Sequence, residues 1–315
     1  MKQPARDLLR DHHCWFSGDS APRDPATTAW KRVARLHQAR WREARRYPIG
    51  ARPYSGDIDA TPVGSRLALK FARKSGANFL TPGVRSAVEH RLGHPERYQM
   101  LDEKRLWADL LSSMPMCFNL FGDLFDDPNA ATRAATALWP DAPAGRAHVR
   151  FEYSPGRGDP KFLGNRSAFD AAFEIDVGND GIAIVGIETK YHEHAATEKV
   201  PREEKLARYV QVTEASGAFA DGWRERLVGT ELQQIWLDHL LLLSMLQHPL
   251  QQWRWGRFVL VRPAGNPSFG RAAAEYRAVL RDTSTFESRA IESLLAVPDA
   301  FGEAPVASFR ERYLF

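Results

Sequence analysis

The segment GIAIVGIETKYHE, residues 181–193, decides the fold and raises a chemical question. Residues 182–190 carry apolar side chains at both odd and even positions, which indicates a strand buried on both faces of a sheet. The strand nevertheless ends in a glutamate, a threonine and a lysine. Because side chains alternate along a strand, Glu188 and Lys190 share one face at one end of it.

The preceding segment, SAFDAAFEIDV at residues 167–177, alternates as a half-buried strand does. Its odd-numbered positions, Phe169 among them, form an apolar face, and its even-numbered positions form the other. GNDG at 178–181 is a typical hairpin turn. The two strands are therefore predicted to pair antiparallel.

The length of the turn sets which residues meet. With Asn179–Gly181 as a three-residue loop, Asp170 lies opposite Lys190 and Ala172 lies opposite Glu188. Opposed residues share a face, so this register brings both acids and the lysine together. A two-residue loop would instead move Asp170 to the other face and break the cluster.

A third acid can come from an earlier strand. AHVRFEYS, residues 147–154, alternates and runs into a loop, so Glu152 ends at the same edge of the sheet as Asp170. A helical acid, Glu103 or Asp109, could serve the same need. We prefer Glu152.

Carboxylates beside a lysine suit one kind of chemistry. Carboxylates with open positions bind Mg²⁺, which keeps several waters and accepts phosphate oxygens. A lysine beside them can orient an attacking water or stabilise developing negative charge. An isolated salt bridge is the alternative interpretation. The other three acid-x-Lys pairs, at 102–104, 159–161 and 203–205, lie on predicted helices or a loop, where this spacing does not bring the two side chains together.

The elements around these strands indicate a mixed α/β order. The predicted helices and the further strand are at 95–113, 202–216, 229–247 and 257–263, and the tail at 269–296 is predicted as two amphipathic helices. Two short helices are predicted within 64–98. The apolar segment 114–125 stays ambiguous because Pro115 interrupts it.

A basic segment near the N-terminus, TTAWKRVARLHQARWREARRYPIG at 27–50, predicts a helix that ends near Pro48 and Gly50. Its cations are Lys31, Arg32, Arg35, Arg40, Arg42, Arg45 and Arg46. They suit the phosphates of a nucleic acid, or they form the solvated face of a packed helix.

The composition of the chain limits which classes of protein it can belong to. The chain of 315 residues has a net charge of +4, and only nine of its 43 cations are lysines. The arginines suit phosphate, but they also suit a GC-rich coding bias. Two distant cysteines exclude a CxxC zinc or iron–sulfur site and favour a reducing cytoplasm. No signal peptide and no membrane span is expected.

These residues resemble a known family. Asp170 followed by Glu188-Thr189-Lys190 looks like the PD-(D/E)xK nuclease superfamily, whose core is helix, three strands, helix, strand. Residues 99–263 follow that order. FEYSP, FDAAFEID and GIETKYHE, with HRLGHPERYQ and SSMPMCFNLFG upstream, are similar to a group of bacterial restriction-endonuclease-like proteins. One departure is Phe169, which stands where the superfamily motif has proline.

The resemblance implies an α/β fold with a restriction-endonuclease-like core, in which helices flank a mixed sheet. Residues 99–265 would form this core. Residues 1–98 would be a basic, mostly helical N-terminal extension. Residues 266–315 would be a helical C-terminal extension packed on the core.

For function, the resemblance implies a metal-dependent DNA endonuclease. Asp170 and Glu188 would hold Mg²⁺, for which Mn²⁺ can substitute, and Lys190 would be the catalytic lysine. Glu152 is our prediction for a third metal ligand. The residues leave DNA versus RNA open, and a homodimer would supply two sites for double-strand cutting. The alternatives are a non-catalytic nucleic-acid-binding or scaffold protein of the same fold, and an unrelated enzyme whose salt bridge imitates the motif.

Overall fold

The computed structural model describes residues 3–52 and 60–315, so the parts of the predicted N-terminal extension at 1–2 and 53–59 lie outside the described residues. The strands of the described ranges are β1 (Ile49–Arg52), β2 (Thr61–Leu67), β3 (Arg146–Tyr153), β4 (Phe169–Asp176), β5 (Ile182–Thr189), β6 (Trp253–Arg262) and β7 (Phe286–Ala290).

The helices surround these strands. They are α1 (Arg6–Asp11), α2 (Pro25–Ala44), α3 (Leu69–Ser75), α4 (Pro82–Gly93), α5 (Glu103–Ala108), α6 (Ser113–Phe121), α7 (Pro128–Leu138), α8 (Glu203–Ser216), α9 (Trp223–Leu227), α10 (Gln233–Leu246), α11 (Pro267–Arg277), α12 (Ile291–Leu294) and α13 (Glu303–Tyr313). Short 3₁₀ turns occupy Ser17–Asp19, Gly122–Leu124 and Gly178–Asp180.

The central sheet has the strand order β3-β4-β5-β6-β7. The first three strands pair antiparallel, and β5, β6 and β7 pair parallel. One apolar cluster, formed with α4, α6 and α7, covers one face of β5, and a second, formed with α8, α10 and α11, covers the other. The predicted mixed sheet between helices is therefore confirmed, and so is the doubly covered position of β5.

The C-terminal segment differs from the prediction of two helices at 269–296. Helix α11 forms, but β7 follows it and adds a fifth strand to the sheet by pairing parallel with β6. Phe286 at the start of β7 is buried in the same apolar cluster as α10. Pairing with a distant strand overrides local helical periodicity here, which a local pattern does not show.

The basic helix also ends earlier than predicted. Asp24 caps α2 by accepting a hydrogen bond from Thr27 N, and α2 ends at Ala44. The chain then enters β1, which pairs antiparallel with β2. The N-terminal segment is thus not wholly helical. Apolar residues of α2 and α13 join the cluster that covers the sheet, so both ends of the chain pack on it.

The predicted helix at 95–113 is wrong in extent. Only α5 forms within it, and a second helix, α6, begins at Ser113 in the segment that Pro115 left ambiguous. Ser112 caps α6, so Pro115 falls in its first turn, where no intrahelical N–H is lost. The short helices predicted within 64–98 are present as α3 and α4.

The hairpin between β4 and β5 is offset from the predicted register. Ala172 pairs with Gly186 rather than with Glu188, and Val177 N donates to Gly181 O at 3.0 Å. The loop is therefore residues 178–180 and not 179–181. The offset is two residues along β5, so the parity of the pairing is unchanged. Asp170 consequently falls opposite Glu188, and the prediction that it faces Lys190 is wrong.

The alternation of side chains between the two faces of the sheet is interrupted in β4 just before Ala171. Ala171 and Phe173 lie in the cluster with α6, whereas Phe169 and Ala172 lie together in the cluster with α10. The predicted membership of Phe169 in the odd-numbered face is therefore wrong. Gly186 makes the arrangement possible, because a Cβ there would lie 2.5 Å from Phe169 Cε1.

We expect Gly186→Ala to lower the free energy of unfolding by about 1–3 kcal/mol, because the added methyl overpacks the Phe169 ring and strains the start of β4. Urea unfolding followed by circular dichroism measures the change. Gly93→Ala is the matched control, since a Cβ at that exposed helical glycine meets nothing within 4 Å. That control should be neutral or slightly stabilising. Equal stability of the two variants would refute the close packing of Phe169 on Gly186.

Candidate active site

Glu188 and Lys190 form a buried ion pair at the end of β5. Lys190 Nζ lies 2.6 Å from Glu188 Oε1, and the residues are only 7% and 8% exposed, respectively. The backbone N–H of Lys190 donates to Val261 O, which extends the pairing of β5 with β6 by one residue. The pair is thus fixed to the centre of the sheet, where unpaired charges would be costly.

Asp170 lies beside this pair but has a different hydrogen-bond partner. Its Oδ2 accepts hydrogen bonds from Thr189 N at 2.8 Å and from Thr189 Oγ1 at 2.6 Å. Asp170 as a whole is only partly buried. The Asp170 side chain turns toward Thr189 at the point where the alternation of β4 is interrupted, next to Phe169. Asp170, Glu188 and Lys190 are therefore neighbours, with the middle residue of the Glu-Thr-Lys sequence holding the aspartate.

Glu152 stands across from Asp170 on the neighbouring strand. It lies between the pairs Phe151–Ala171 and Tyr153–Phe169. Its φ of 51° places a non-glycine residue in the left-handed region. Arg157 lies 3.5 Å from its carboxylate. Such backbone strain is often found at functional sites.

The two alternative acids lie elsewhere. Glu103 is largely exposed and pairs with Arg73 at 3.3 Å. Asp109 pairs with Arg66 at 3.6 Å and lines a cavity next to the end of β5. Of the three candidates, Glu152 acts electrostatically on Asp170, so its use as a third ligand stays our prediction.

Helix α10 adds two polar residues. Gln234 Nε2 donates to Glu188 Oε1 at 3.3 Å. Asp238, one helical turn later, is 9% exposed and acts electrostatically on Lys190. Gln233, by contrast, is tied to Gly229 N and Lys199 O. Asp238 is not among the residues predicted from the sequence, although it is the lone acid in the apolar sequence of α10.

The cluster is short of positive charge. Burial raises the pKa of Glu188 well above its usual value, and the Asp170 carboxylate adds to this rise. Burial also raises the pKa of Asp170, and it raises that of Asp238 to about 7. Burial lowers the pKa of Lys190, but Glu188, Asp238 and Asp170 together raise it by more, so the lysine stays protonated. One ammonium therefore faces three carboxylates.

This surplus of carboxylate oxygen suits a divalent cation. Hard oxygen donors are the ligands that Mg²⁺ and Mn²⁺ prefer. Within residues 3–52 and 60–315, no three His, Cys, Asp or Glu side chains form a preassembled cage. Mg²⁺ does not need one, because it retains waters and binds through one or two carboxylates.

The pKa of Glu152 predicts how the stability of the metal-free protein depends on pH. Burial, assisted by the Asp170 charge, raises this pKa from 4.5 to about 7. Between these values the folded state binds more protons than the unfolded state, so stability falls as pH rises. The full rise in the pKa of Glu152 corresponds to a loss of at most ~3 kcal/mol in the free energy of unfolding.

We expect Glu152→Gln to leave stability unchanged near pH 4.5 and to increase it above pH 7 in the presence of EDTA. Thermal unfolding at a series of pH values measures this. Glu103→Gln controls for loss of an exposed carboxylate. If the difference in stability between Glu152→Gln and wild type did not vary with pH, the pKa of Glu152 would not be raised by burial and by Asp170.

A basic cavity opens next to the strand end. Its volume is about 270 Å³, and its polar lining includes Lys31, Arg35, Arg52, Arg66 and His192, together with one acid, Asp109. His192 is two residues beyond Lys190, and its Nδ1 lies 2.8 Å from Leu111 O.

The predicted basic helix contributes to this cavity only in part. Arg35 is buried against Asp19 at 2.7 Å, and Arg42 donates to Gly64 O at 2.9 Å. Both arginines therefore hold the fold together. Lys31, half buried, is the cation of α2 that lines both this cavity and a second one beside His194.

A family model described as the PD-(D/E)XK nuclease superfamily matches residues 23–315, nearly the whole chain. The chain belongs to the PD-(D/E)XK nuclease superfamily. The predicted resemblance is thereby confirmed. Neither a curated protein nor a solved structure matches the chain. PD-(D/E)XK nucleases typically use divalent metals, so membership indicates a metal-dependent nuclease and a nucleic-acid substrate. In the described part of the chain, no helix is long and apolar enough to span a membrane.

Proposed function

We propose that this PD-(D/E)XK nuclease is a metal-dependent endonuclease that hydrolyses phosphodiester bonds in DNA. The observation that carries the proposal is the charged cluster at the start of β4 and the end of β5, where Asp170, Glu188 and Lys190 lie together. Their order and spacing match the motif that gives the superfamily its name, except that Phe169 replaces its proline. Asp170 is only partly buried, so it keeps some access to solvent.

Asp170 and Glu188, assisted by Glu152, would hold Mg²⁺, and Mn²⁺ would be a substitute. When bound, such an ion lowers the pKa of a coordinated water and stabilises negative charge on the phosphate. Thr189 orients Asp170 through two hydrogen bonds, and Gln234 orients Glu188 through one.

Lys190 has the role of a fixed cation. Its ammonium is held by neighbouring carboxylates and carries donors for an attacking water or for a phosphate oxygen. Because it is buried beside Phe269, at 5.5 Å from the ring centroid, it loses little freedom when the substrate binds. Preorganised charge of this kind lowers the barrier to reaction.

DNA would reach the site past the basic cavity that Lys31 lines. Desolvation and the nearby Arg35 charge lower the pKa of Lys31, so an anion beside it would be favoured. A phosphate next to the one being cleaved is the group that this cavity would accept.

We expect Lys31→Met to weaken DNA binding about five- to tenfold at low salt and to reduce the slope of log affinity against log salt by about one. Fluorescence anisotropy with a labelled duplex in Ca²⁺ measures both. Lys70→Met, which removes an exposed lysine from α3, is the matched control. An unchanged slope for Lys31→Met would exclude Lys31 from the DNA contact.

The choice of DNA over RNA is tested by direct comparison. Purified protein with Mg²⁺ should cut supercoiled plasmid and linear duplex DNA, whereas RNA of equal length should remain intact. Cleavage of RNA alone would assign the activity to ribonuclease chemistry. Binding of DNA without any cleavage in Mg²⁺ or Mn²⁺ would favour the alternative, a catalytically silent nucleic-acid-binding protein that retains the fold.

Three further features belong to this proposal. The active form would be a homodimer, because cutting both strands usually needs two sites. The protein would act in the cytoplasm, where its buried free cysteines, Cys14 and Cys117, would stay reduced. The division into 1–98, 99–265 and 266–315 also remains a proposal.

A further inference from the structure

Helix α10 places Asp238 on the face that Gln234 turns toward Glu188. Gln234 and Asp238 are four residues apart on α10, so they lie on one face, and Gln234 contacts Glu188. Asp238 is 9% exposed, and its Oδ2 is buried with no hydrogen-bond partner in the described ranges. A buried carboxylate with an unsatisfied oxygen is costly unless a charge offsets it.

The surroundings of Asp238 are unusual for a carboxylate. Residues 240–243 of α10 are all leucine and buried. The charged groups that face Asp238 are Lys190, Asp170 and Glu198, and Lys190 alone is a cation. An acid in this apolar helix conflicts with local patterning, and such conflicts tend to occur at functional sites.

We propose that Asp238 is a positioning residue, which receives the Lys190 ammonium when Glu188 turns from Lys190 to the metal ion. This inference rests on the proposed function. Lys190 Nζ lies 2.6 Å from Glu188 Oε1, so the ammonium and a bound cation would compete for this carboxylate. Without a second acceptor, Lys190 would either block Glu188 or lose its place beside the reacting phosphate.

The test is a double-mutant cycle read by Ca²⁺ affinity, with isothermal titration calorimetry of wild type, Asp238→Asn, Lys190→Met and the double variant. Asp238→Asn should weaken Ca²⁺ binding about tenfold, because the ammonium stays on Glu188. Lys190→Met should bind Ca²⁺ at least as tightly as wild type. Adding Asp238→Asn to Lys190→Met should then change affinity less than about threefold.

Other results overturn the inference. An equal loss in both backgrounds would make Asp238 a direct metal ligand, and no loss in either would make it structural. Glu188→Gln tests the metal site separately from the role of Asp238. If wild type binds Ca²⁺ and Glu188→Gln does not, the proposed metal site is supported whatever the result for Asp238. If wild type binds no cation, the proposed function fails together with this inference.

A second measurement does not depend on any variant folding. In a crystal structure of the wild-type protein with Ca²⁺, Lys190 Nζ should lie within hydrogen-bond distance of Asp238. Lys190 remaining on Glu188 with the cation bound would contradict the exchange.

Discussion

Lys190→Met should reduce the rate of metal-dependent DNA cleavage about a hundred- to a thousandfold, as expected when a preorganised charge is removed from a reacting site. Methionine keeps much of the length and apolar volume of the lysine, so packing beside Phe269 is retained. Single-turnover cleavage at saturating Mg²⁺ measures the effect. DNA binding in Ca²⁺ should stay within about threefold of wild type, because the ammonium is buried and is one of many cations.

Lys161→Met is the matched control for this prediction. Lys161 is part of another acid-x-Lys sequence, Asp159 to Lys161, but it is exposed in a loop. Its replacement should leave the cleavage rate unchanged. If Lys190→Met cleaved within about tenfold of wild type while remaining folded, the lysine would have no part in the chemistry.

Asp170→Asn should abolish detectable cleavage and yet stabilise the metal-free protein. The asparagine oxygen can still accept the hydrogen bonds from Thr189, so the geometry is kept. The substitution removes a charge that raises the pKa of Glu188, and relief of this crowding should raise the melting temperature by ~2 °C in EDTA. Ca²⁺ affinity should fall at least about a hundredfold, since loss of even an outer-sphere partner costs 10–100-fold.

Opposite signs for activity and stability distinguish this prediction from simple damage to the fold. Plasmid cleavage and differential scanning fluorimetry on the same preparation measure activity and stability, and calorimetry measures the Ca²⁺ affinity. A destabilised Asp170→Asn variant with reduced activity would assign Asp170 a structural role.

Local patterns predicted the strands that build the site. β3, β4 and β5 lie within one or two residues of their predicted bounds, because alternation and a GNDG turn are local signals. β7 was mistaken for a helix because its pairing with β6 depends on residues far away in sequence. The membership of the chain in the PD-(D/E)XK nuclease superfamily agrees with the order that these strands follow.

The register of the hairpin, the face on which Phe169 lies and the position of Asp238 could not be predicted from the periodicity of the sequence. The GNDG turn is compatible with loops that differ by one position, so the register was offset by two residues. The interruption of alternation next to Phe169 arises from space that Gly186 leaves on the neighbouring strand. Asp238 joins the cluster only through the packing of α10 on the sheet, which no local pattern reports.

The most direct test of the central claim is the nicking and linearisation of supercoiled plasmid by purified protein. Wild type and Asp170→Asn, prepared in parallel, would be compared in Mg²⁺, Mn²⁺ and EDTA. Cleavage by wild type in Mg²⁺ and Mn²⁺, with none in EDTA and none by Asp170→Asn, is the predicted result. Equal cleavage by both proteins, or cleavage that persists in EDTA, would contradict the assignment of this cluster as a metal-dependent nuclease site.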